Sequence, residues 1–297
     1  MIVTCLFGDP VEQSVSPYMY NYFGVKAGIP YYSHIKIKVP ADNEDNLKNA
    51  IEAAKFFGFV GINITIPYKT RVLKYLDKLD NGAEIAGMVN AIVNDNGRLV
   101  GYNTDSKGAI LAIEARLRKI KTKDKVLIFG AGGAARAVTI AISSKNKNIT
   151  LINRKEDFNL ALSLKKDIEK LGVSLNILPL NEENIIEQAS VADLIINATR
   201  VGMVPNAKES IISKDQFKKI NKISNLKNKI FFDVVFNPYT TQFLKLAKKH
   251  GAKICQGLHM TIYQGAASFE LWTGKKVKKH DLEIIHKIIK NKMGIKN

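Results

Sequence analysis

The chain has 297 residues, enough for two ordinary α/β domains or one large one. With 46% hydrophobic and 24% charged residues it has the balance of a soluble globular protein, and no apolar run reaches the roughly 18 residues a membrane span needs. The net charge is +18, yet only 7 of the 45 basic residues are Arg, the residue of bidentate phosphate and base recognition, so the excess reads as a lysine-rich solvated surface and not as a nucleic-acid site.

The apolar start, Met1 to Phe7, lacks a basic leader and meets Gly8, Asp9 and Pro10 at once. It reads as a strand, Ile2–Phe7, and not as a signal peptide. Ser16 and Pro17 then open a helix toward Gly28, with Ser at the N-cap and Pro at the first helical position. Ser33–Val39 alternates polar and apolar residues as a half-buried strand does. Asn43–Phe57 reads as a helix and Phe59–Ile66 as a short buried strand. Pro67 begins another helix, toward Leu76. Val89–Asn94 and Arg98–Tyr102 flank Asp95-Asn96-Gly97, a hairpin signal. Ser106–Leu117 is the next helix.

From Val126 the texture changes to continuous apolar strands separated by helices. Strands are expected at Val126–Phe129, Ile149–Asn153, Leu175–Leu178, Asp193–Asn197 and Ile230–Val235. Helices are expected from the glycines to about Ser143 and over Leu160–Leu171. The repeated β-α order predicts a parallel, doubly wound sheet. A last helix runs from about Asp281 to Lys292. Cys5 and Cys255 are the only cysteines. They make no disulfide framework and no metal motif, which fits a reducing cytoplasm.

Gly130-Ala131-Gly132-Gly133-Ala134-Ala135 fits G-x-G-x-x-G/A, and it follows an apolar strand and opens a helix, as a dinucleotide loop must. The first glycine permits the tight turn, and the second lets the backbone approach a pyrophosphate. Ala135 keeps helix and strand close. The helix N-terminus offers N–H groups and partial positive charge to the phosphates. The next strand ends in Asn153-Arg154-Lys155, and Arg suits the 2′-phosphate of NADP. Glu156 and Asp157 follow, and a carboxylate there can hold a 2′-OH instead. The expected cofactor is therefore NADP, with NAD also usable. A solvated loop at Lys155–Asp157 stays an open alternative.

Three further segments carry reactive side chains. Ser14-Val15-Ser16-Pro17 puts two hydroxyls at i, i+2, which project to one side of an extended segment and suit a carboxylate. The same residues also make an ordinary capping turn. In Asn63-Ile64-Thr65-Ile66-Pro67-Tyr68-Lys69, Asn63 and Thr65 share one face. Lys69 stands in the first turn of the expected helix, where a cation opposes the positive end. A lysine that trades a proton is one explanation, and a lysine reaching solvent is the other. Asn103-Thr104-Asp105 ends a strand, so Asp105 is a candidate site residue, a helix N-cap, or both at once.

Together these segments, with Gly87-Met88-Val89-Asn90, Asn197-Ala198-Thr199, and Gly257–Met260 with Gln264, resemble the shikimate dehydrogenase family nearly end to end. Asn153–Phe158 and Val201-Gly202-Met203 look like its quinate/shikimate branch, whose members use NAD as well as NADP. The resemblance implies an α/β fold. Its N-terminal α/β substrate domain covers 1–105, a Rossmann-like NAD(P)-binding domain covers 106–261, and the C-terminal helix returns to the first domain over 262–297. A cleft would lie between the two domains. The implied activity is reversible reduction of 3-dehydroshikimate to shikimate by a cytoplasmic enzyme, monomer or homodimer, with small-molecule substrates and no membrane or nucleic-acid partner. Carried over by motif, Lys69 and Asp105 are the catalytic pair. Ser14 and Ser16 hold the substrate carboxylate, while Thr65, Asn90 and Gln264 hold ring hydroxyls. Gly130, Ala131, Gly132, Gly133 and Ala134 cradle the cofactor phosphates, and Asn153, Arg154, Lys155 and Glu156 meet its ribose end. Val234 and Gly257 approach the nicotinamide.

Phe236 stands at a substrate-side position where the family usually has Tyr. The hydrogen bond of that hydroxyl is absent, a loss of about 0.5–1.5 kcal/mol for a neutral contact. Ser106 and His259 replace common glycines. A dehydrogenase preferring quinate and NAD is the nearest alternative, and a non-catalytic nucleotide-sensing relative is another. A nucleic-acid binder rests on charge alone and predicts steeply salt-dependent binding.

Overall fold

The apolar start of the chain becomes the inside of a sheet. In a computed structural model that describes residues 1–295, it forms β1 (Ile2–Gly8). Helix α1 (Ser16–Lys26) leads to β2 (Tyr32–Lys38), and α2 (Asp45–Phe56) leads to β3 (Gly61–Ile64). Both β2 and β3 pair in parallel with β1, one on each side. Then come β4 (Lys78–Leu79), α3 (Asn81–Ala86), β5 (Ala91–Asp95) and β6 (Arg98–Tyr102). The sheet runs β2-β1-β3-β5-β6-β4, with β5 antiparallel to both neighbours. The β5–β6 turn has positive φ at Asn96 (53°) and Gly97 (90°), the pair of left-handed residues a two-residue hairpin loop requires. Alternate residues Cys5, Phe7, Ile62 and Ile64 point to one face, where Leu47, Ile51 and Ala54 of α2 cover them.

Helix α4 (Thr104–Arg116) follows. The second sheet is built from β7 (Val126–Phe129), α5 (Gly133–Ser143), β8 (Ile149–Asn153), α6 (Phe158–Glu169), β9 (Leu175–Pro179), α7 (Glu182–Val191), β10 (Leu194–Asn197), α8 (Lys214–Ile223), β11 (Ile230–Asp233), α9 (Gln242–Lys249) and β12 (Lys253–Cys255). All its strands are parallel, in the order β12-β11-β10-β7-β8-β9. Every residue of β7, β10 and β11 is buried. Strands covered on both faces read as unbroken apolar runs, and these do. Strand order reverses between β7 and β10, so the carboxyl ends there form the switch point where doubly wound sheets take ligands.

Two helices complete the described chain, α10 (Gly257–Thr273) and α11 (Lys279–Lys292). The molecule divides into two compact units, Met1–Gly108 with Ile262 onward, and Ala109–Thr261, so the divisions fall inside α4 and α10. In the first unit α11 returns to pack on α1, where the Tyr22 hydroxyl donates to Asp281 Oδ1 at 3.2 Å. Trp272 of α10 lies over the sheet and donates its indole N–H to the Ile92 carbonyl at 2.8 Å. Among the described residues no helix is long and apolar enough to cross a membrane.

Several boundaries differ from the sequence reading. No α-helix starts at Pro67. Turns lead into a 3-10 helix at Arg71–Tyr75. The cause is local: Tyr68 is buried with its hydroxyl 2.8 Å from the Val39 and Pro40 carbonyls, and the Lys69 carbonyl accepts from Val89 N–H at 2.8 Å. Helix α4 begins at Thr104 and not at Ser106, and α6 spans 158–169 and not 160–171. Strand β11 stops at Asp233, two residues early, because the Asp233 carboxylate takes the Val235 N–H at 3.0 Å. Helices α3, α7, α8, α9 and α10 and the short strands β4 and β12 lie outside the elements that the sequence pattern predicts.

Gly61 is a tight point of the first sheet, since a Cβ there would overlap the Trp272 ring. We expect Gly61→Ala to lower unfolding stability by about 1–3 kcal/mol, the usual cost of overpacking. Urea denaturation checks this, and an unchanged midpoint would refute the close packing of Trp272 on β3.

Candidate active site

Lys69 and Asp105 meet in the first unit. Lys69 Nζ lies 2.5 Å from Asp105 Oδ2, with side-chain exposures of 27% and 11%. The turn carrying Lys69 is held by its buried neighbour Tyr68 and by the Val89 N–H. Lys69 therefore opposes no α-helix end, and that argument for its reactivity lapses. Asp105 is not the N-cap of α4 either. It stands inside the first turn, and Asn103 Oδ1 accepts the Ser106 N–H at 3.2 Å in the capping role. Both carboxylate oxygens of Asp105 are thus free for side chains. An acidic group in the first turn also suits the helix dipole.

Asn90 ties the pair to the rest of the site. Its amide nitrogen donates to Asp105 Oδ1 at 3.0 Å and lies 2.8 Å from Thr104 Oγ1 and 3.1 Å from Gln264 Oε1. Its Oδ1 accepts the Thr104 N–H at 2.7 Å. Thr104 Oγ1 is 3.0 Å from Ser268 Oγ, one helical turn beyond Gln264. Asn63 donates to the Asn90 carbonyl at 3.0 Å, so it braces the network from β3. Four of the predicted residues, Lys69, Asn90, Asp105 and Gln264, are therefore brought together. Thr104 and Ser268 join them. Ser268 left no sequence signal, because the helix that carries it was not recognised.

The serine pair converges, but not as expected. Val15 occupies the cap position at φ −89°, ψ 2°, and Ser16 is the first residue of α1 with no capping bond from a side chain. The Ser16 hydroxyl turns instead to Ser14 Oγ at 3.1 Å and His34 Nε2 at 3.2 Å. Thr65 is half-buried just past β3, and its methyl fills the space above Gly8, where a Cβ would overlap it. His34 is a functional neighbour that sequence reasoning missed, since it stands as an ordinary member of an alternating strand.

In the second unit the glycine loop has the expected form. Gly130 adopts φ +102°, and a Cβ on it would stand 3.2 Å from the Ala198 carbonyl oxygen at the end of β10. Gly132 caps α5 and Gly133 begins it. Gly132, Gly133 and Ala134 are exposed, while Ala131 and Ala135 are buried. A Cβ at Gly132 would meet nothing within 4 Å. Packing does not require glycine there, so the open space before the helix N-terminus is available to phosphates. At the end of β8, Asn153 is buried and donates to the Asp157 carbonyl at 2.9 Å. Arg154 is exposed and reaches Asp157 Oδ2 through Nε at 3.0 Å and Nη2 at 2.5 Å. Lys155 and Glu156 lie exposed in a single 3-10 turn, not in an irregular loop.

Val234 and Gly257 also come together, since a Cβ on Gly257 would stand 2.5 Å from the Val234 carbonyl oxygen. Beside them Asp233 is fully buried, and burial pushes its pKa up to about 7. Thr241 Oγ1 donates to it at 2.5 Å, and Asn197 Nδ2 at 3.1 Å. Asn197 in turn orders the Thr199 N–H and hydroxyl at 3.1 and 2.7 Å. Phe236 belongs to this unit and is half-buried in it.

Residues 6–92 match the family described as shikimate dehydrogenase substrate binding domain. Residues 113–241 match shikimate / quinate 5-dehydrogenase, and 257–281 match the shikimate 5'-dehydrogenase C-terminal domain. The chain is 40% identical over 272 residues to shikimate dehydrogenase (NADP(+)) of Methanococcus maripaludis, covering 91% of each protein. The crystal structure of shikimate 5-dehydrogenase from Listeria monocytogenes in complex with shikimate and NAD matches 97% of this chain and 96% of that one, with TM-score 0.86 and 31% identity. Quinate dehydrogenase from Corynebacterium glutamicum, in complex with NAD, matches at TM-score 0.85 and 28% identity over 98% of this chain and 99% of that one. With three family domains in order along one chain and relatives at this identity over nine-tenths of its length, the chain belongs to the shikimate dehydrogenase family.

Proposed function

We propose that the chain is an NADP-dependent shikimate dehydrogenase that reversibly reduces 3-dehydroshikimate to shikimate, with Lys69 and Asp105 handling the proton. The observation that carries this reading is the 2.5 Å contact of Lys69 with Asp105 inside the Asn90–Gln264 network. The first unit is the substrate-binding and catalytic domain, and the second is the NADP-binding domain. The enzyme works in the cytoplasm as a monomer or homodimer, and its two buried, free thiols, Cys5 and Cys255, suit a reducing compartment.

Ser14 and Ser16 hold the substrate carboxylate, Ser16 donating its hydroxyl proton to it and Ser14 supporting Ser16. Thr65, Asn90 and Gln264 orient the ring through its hydroxyls. When bound, the dinucleotide supplies a hydride to the carbonyl carbon and takes it back in the reverse direction. Negative charge builds on the ketone oxygen as the hydride arrives. An ammonium has three N–H donors, and Lys69 gives one to Asp105. A second stabilises the growing oxyanion and delivers its proton to it. Asp105 fixes the position of Nζ and accepts from the hydroxyl once it forms. In the reverse reaction Lys69 takes that proton up.

The open N-terminus of α5 behind Gly132 fits the pyrophosphate, and Arg154 fits the 2′-phosphate of NADP. Glu156 and Asp157 beside Arg154 let NAD compete. A second reading, quinate as the better substrate, rests on the structural likeness to the Corynebacterium glutamicum enzyme.

Steady-state assays with shikimate or quinate and NADP+ or NAD+ test the whole reading. We expect turnover of shikimate with both cofactors, NADP+ preferred. No turnover with either acid would leave only a nucleotide-binding relative. Lys69→Ala should lower kcat by about 10²–10⁴-fold, the worth of a positioned acid–base group, with the NADP+ affinity unchanged. Normal turnover would reject Lys69 as the proton donor. Arg154→Ala removes charge-assisted hydrogen bonds worth about 1.5–3 kcal/mol, and should raise the KM for NADP+ roughly ten- to hundredfold while leaving that for NAD+ nearly constant. Equal effects on both cofactors would exclude a 2′-phosphate contact.

A further inference from the structure

His34 stands behind the serine pair, fully enclosed at 1% exposure. Its Nε2 lies 3.2 Å from Ser16 Oγ, and its Nδ1 lies 2.8 Å from Thr4 Oγ1. Thr4 Oγ1 is 2.9 Å from the Tyr32 hydroxyl. The Tyr20 ring packs on the imidazole at 4.4 Å between centroids, and Trp272 stacks at 6.1 Å. The backbone is held as well, with the His34 N–H donating to Asn21 Oδ1 at 2.7 Å. A ring fixed this firmly, with one nitrogen on Ser16, acts on what Ser16 does.

Burial pushes the His34 pKa down to about 3, so the ring carries no charge at working pH. An uncharged imidazole has one donor and one acceptor nitrogen, and its surroundings choose which. Thr4 has a single hydroxyl proton. Its possible acceptors are His34 Nδ1 at 2.8 Å, the Tyr32 hydroxyl oxygen at 2.9 Å and the Ser33 carbonyl at 3.5 Å; the phenol is a better donor than the Thr4 alcohol and the imidazole nitrogen a better acceptor than the phenol, so Tyr32 donates to Thr4 and Thr4 to Nδ1. Nδ1 is then the acceptor, so Nε2 carries the hydrogen. The bonds run one way, from Tyr32 to Thr4 to His34 to Ser16. Ser14 also donates to Ser16 Oγ, at 3.1 Å. With donors behind and beside it, Ser16 can turn its own proton only outward.

We propose that His34 is a positioning residue of the substrate-carboxylate subsite, donating from Nε2 to Ser16 Oγ and so aiming the Ser16 hydroxyl proton at an acceptor-only ligand. This rests on the reading of Ser14 and Ser16 as the carboxylate subsite. It makes the subsite selective for a carboxylate over an amide or alcohol of the same shape, since either of those presents a donor to a site already full of donors.

The test is steady-state kinetics of the full chain with shikimate and NADP+. His34→Leu should raise the KM for shikimate about tenfold, the worth of one hydrogen bond, with kcat within about threefold and the KM for NADP+ unchanged. His34→Gln, whose amide N–H can reach Ser16, should recover most of that loss. Thr4→Val keeps the ring but removes the proton that sets its tautomer, and should raise the KM about threefold. His34→Leu added to Ser16→Ala should cost nothing further. If Ser16→Ala raises the KM while His34→Leu and Thr4→Val do not, the role of His34 is overturned and the carboxylate subsite stands. If Ser16→Ala leaves the KM unchanged, both fall. A loss of kcat and NADP+ affinity together, without rescue by Gln, marks a merely structural histidine and also overturns the proposal.

Discussion

Asp105 carries two carboxylate oxygens into a place almost closed to water, where each needs a hydrogen-bonding partner. The molecule meets this need on both sides, with Lys69 on Oδ2 and Asn90 on Oδ1. Those two partners come from separate stretches of chain, the turn after β3 and the residue just before β5, and neither reaches Asp105 unless the sheet is assembled. Much of the first unit can be traced from this demand. Asn103 takes over the capping of α4, which leaves Asp105 free to face inward. Asn90 must point its amide at Asp105 and its carbonyl oxygen at Thr104, so its flip state is fixed by a donor and an acceptor at once. Gln264 and Ser268 then close the network from α10. Removing one member leaves a buried charge or amide without its partner, a larger loss than the bond itself.

The second unit solves a different problem, the close approach of backbones. Gly130 bends at a φ that L residues seldom adopt, beside the end of β10, and Gly257 lies against the Val234 carbonyl. Asp233 holds the neighbouring ends in register by collecting donors from Asn197, Val235 and Thr241. Its burial pushes the carboxyl up, and the three donors oppose that shift. Rigid strand ends at a topological switch are what a dinucleotide needs.

The sequence was legible where one pattern had one meaning. β7 is an unbroken apolar run, β10 and β11 are apolar up to a closing Asn197 and Asp233, and Gly130–Ala135 has the right neighbours on both sides. It was illegible where tertiary contacts overrode local preference. Pro67 has the look of a helix start, but Tyr68 is drawn into the core and Lys69 gives its carbonyl to Val89. Ser16-Pro17 reads as a cap and first turn, but the Ser16 hydroxyl is engaged by Ser14 and His34. Helix α10 buries Leu258, Met260, Ile262, Ala267, Phe269 and Trp272 around much of its circumference, so it lacks the one-sided stripe that marks a surface helix. With α10 hidden, Gln264 could be named from a motif alone, and Ser268 not at all.

On the proposed roles, the site treats the two oxygen-bearing ends of the substrate in opposite ways, and the chemistry explains the difference. The carboxylate has the same charge before and during hydride transfer. Stronger binding there lowers the ground state and the transition state equally, which tightens KM without speeding the chemical step. Uncharged hydroxyls, aimed by an uncharged His34, suffice for that task. Only the ketone oxygen gains charge along the reaction. A cation placed against it binds the transition state better than the ketone, and that difference is what accelerates the reaction. Lys69 is tied to Asp105, while the serine hydroxyls bond to each other and to His34, so on the proposed roles the attraction of the ammonium is directed at the oxygen whose charge changes.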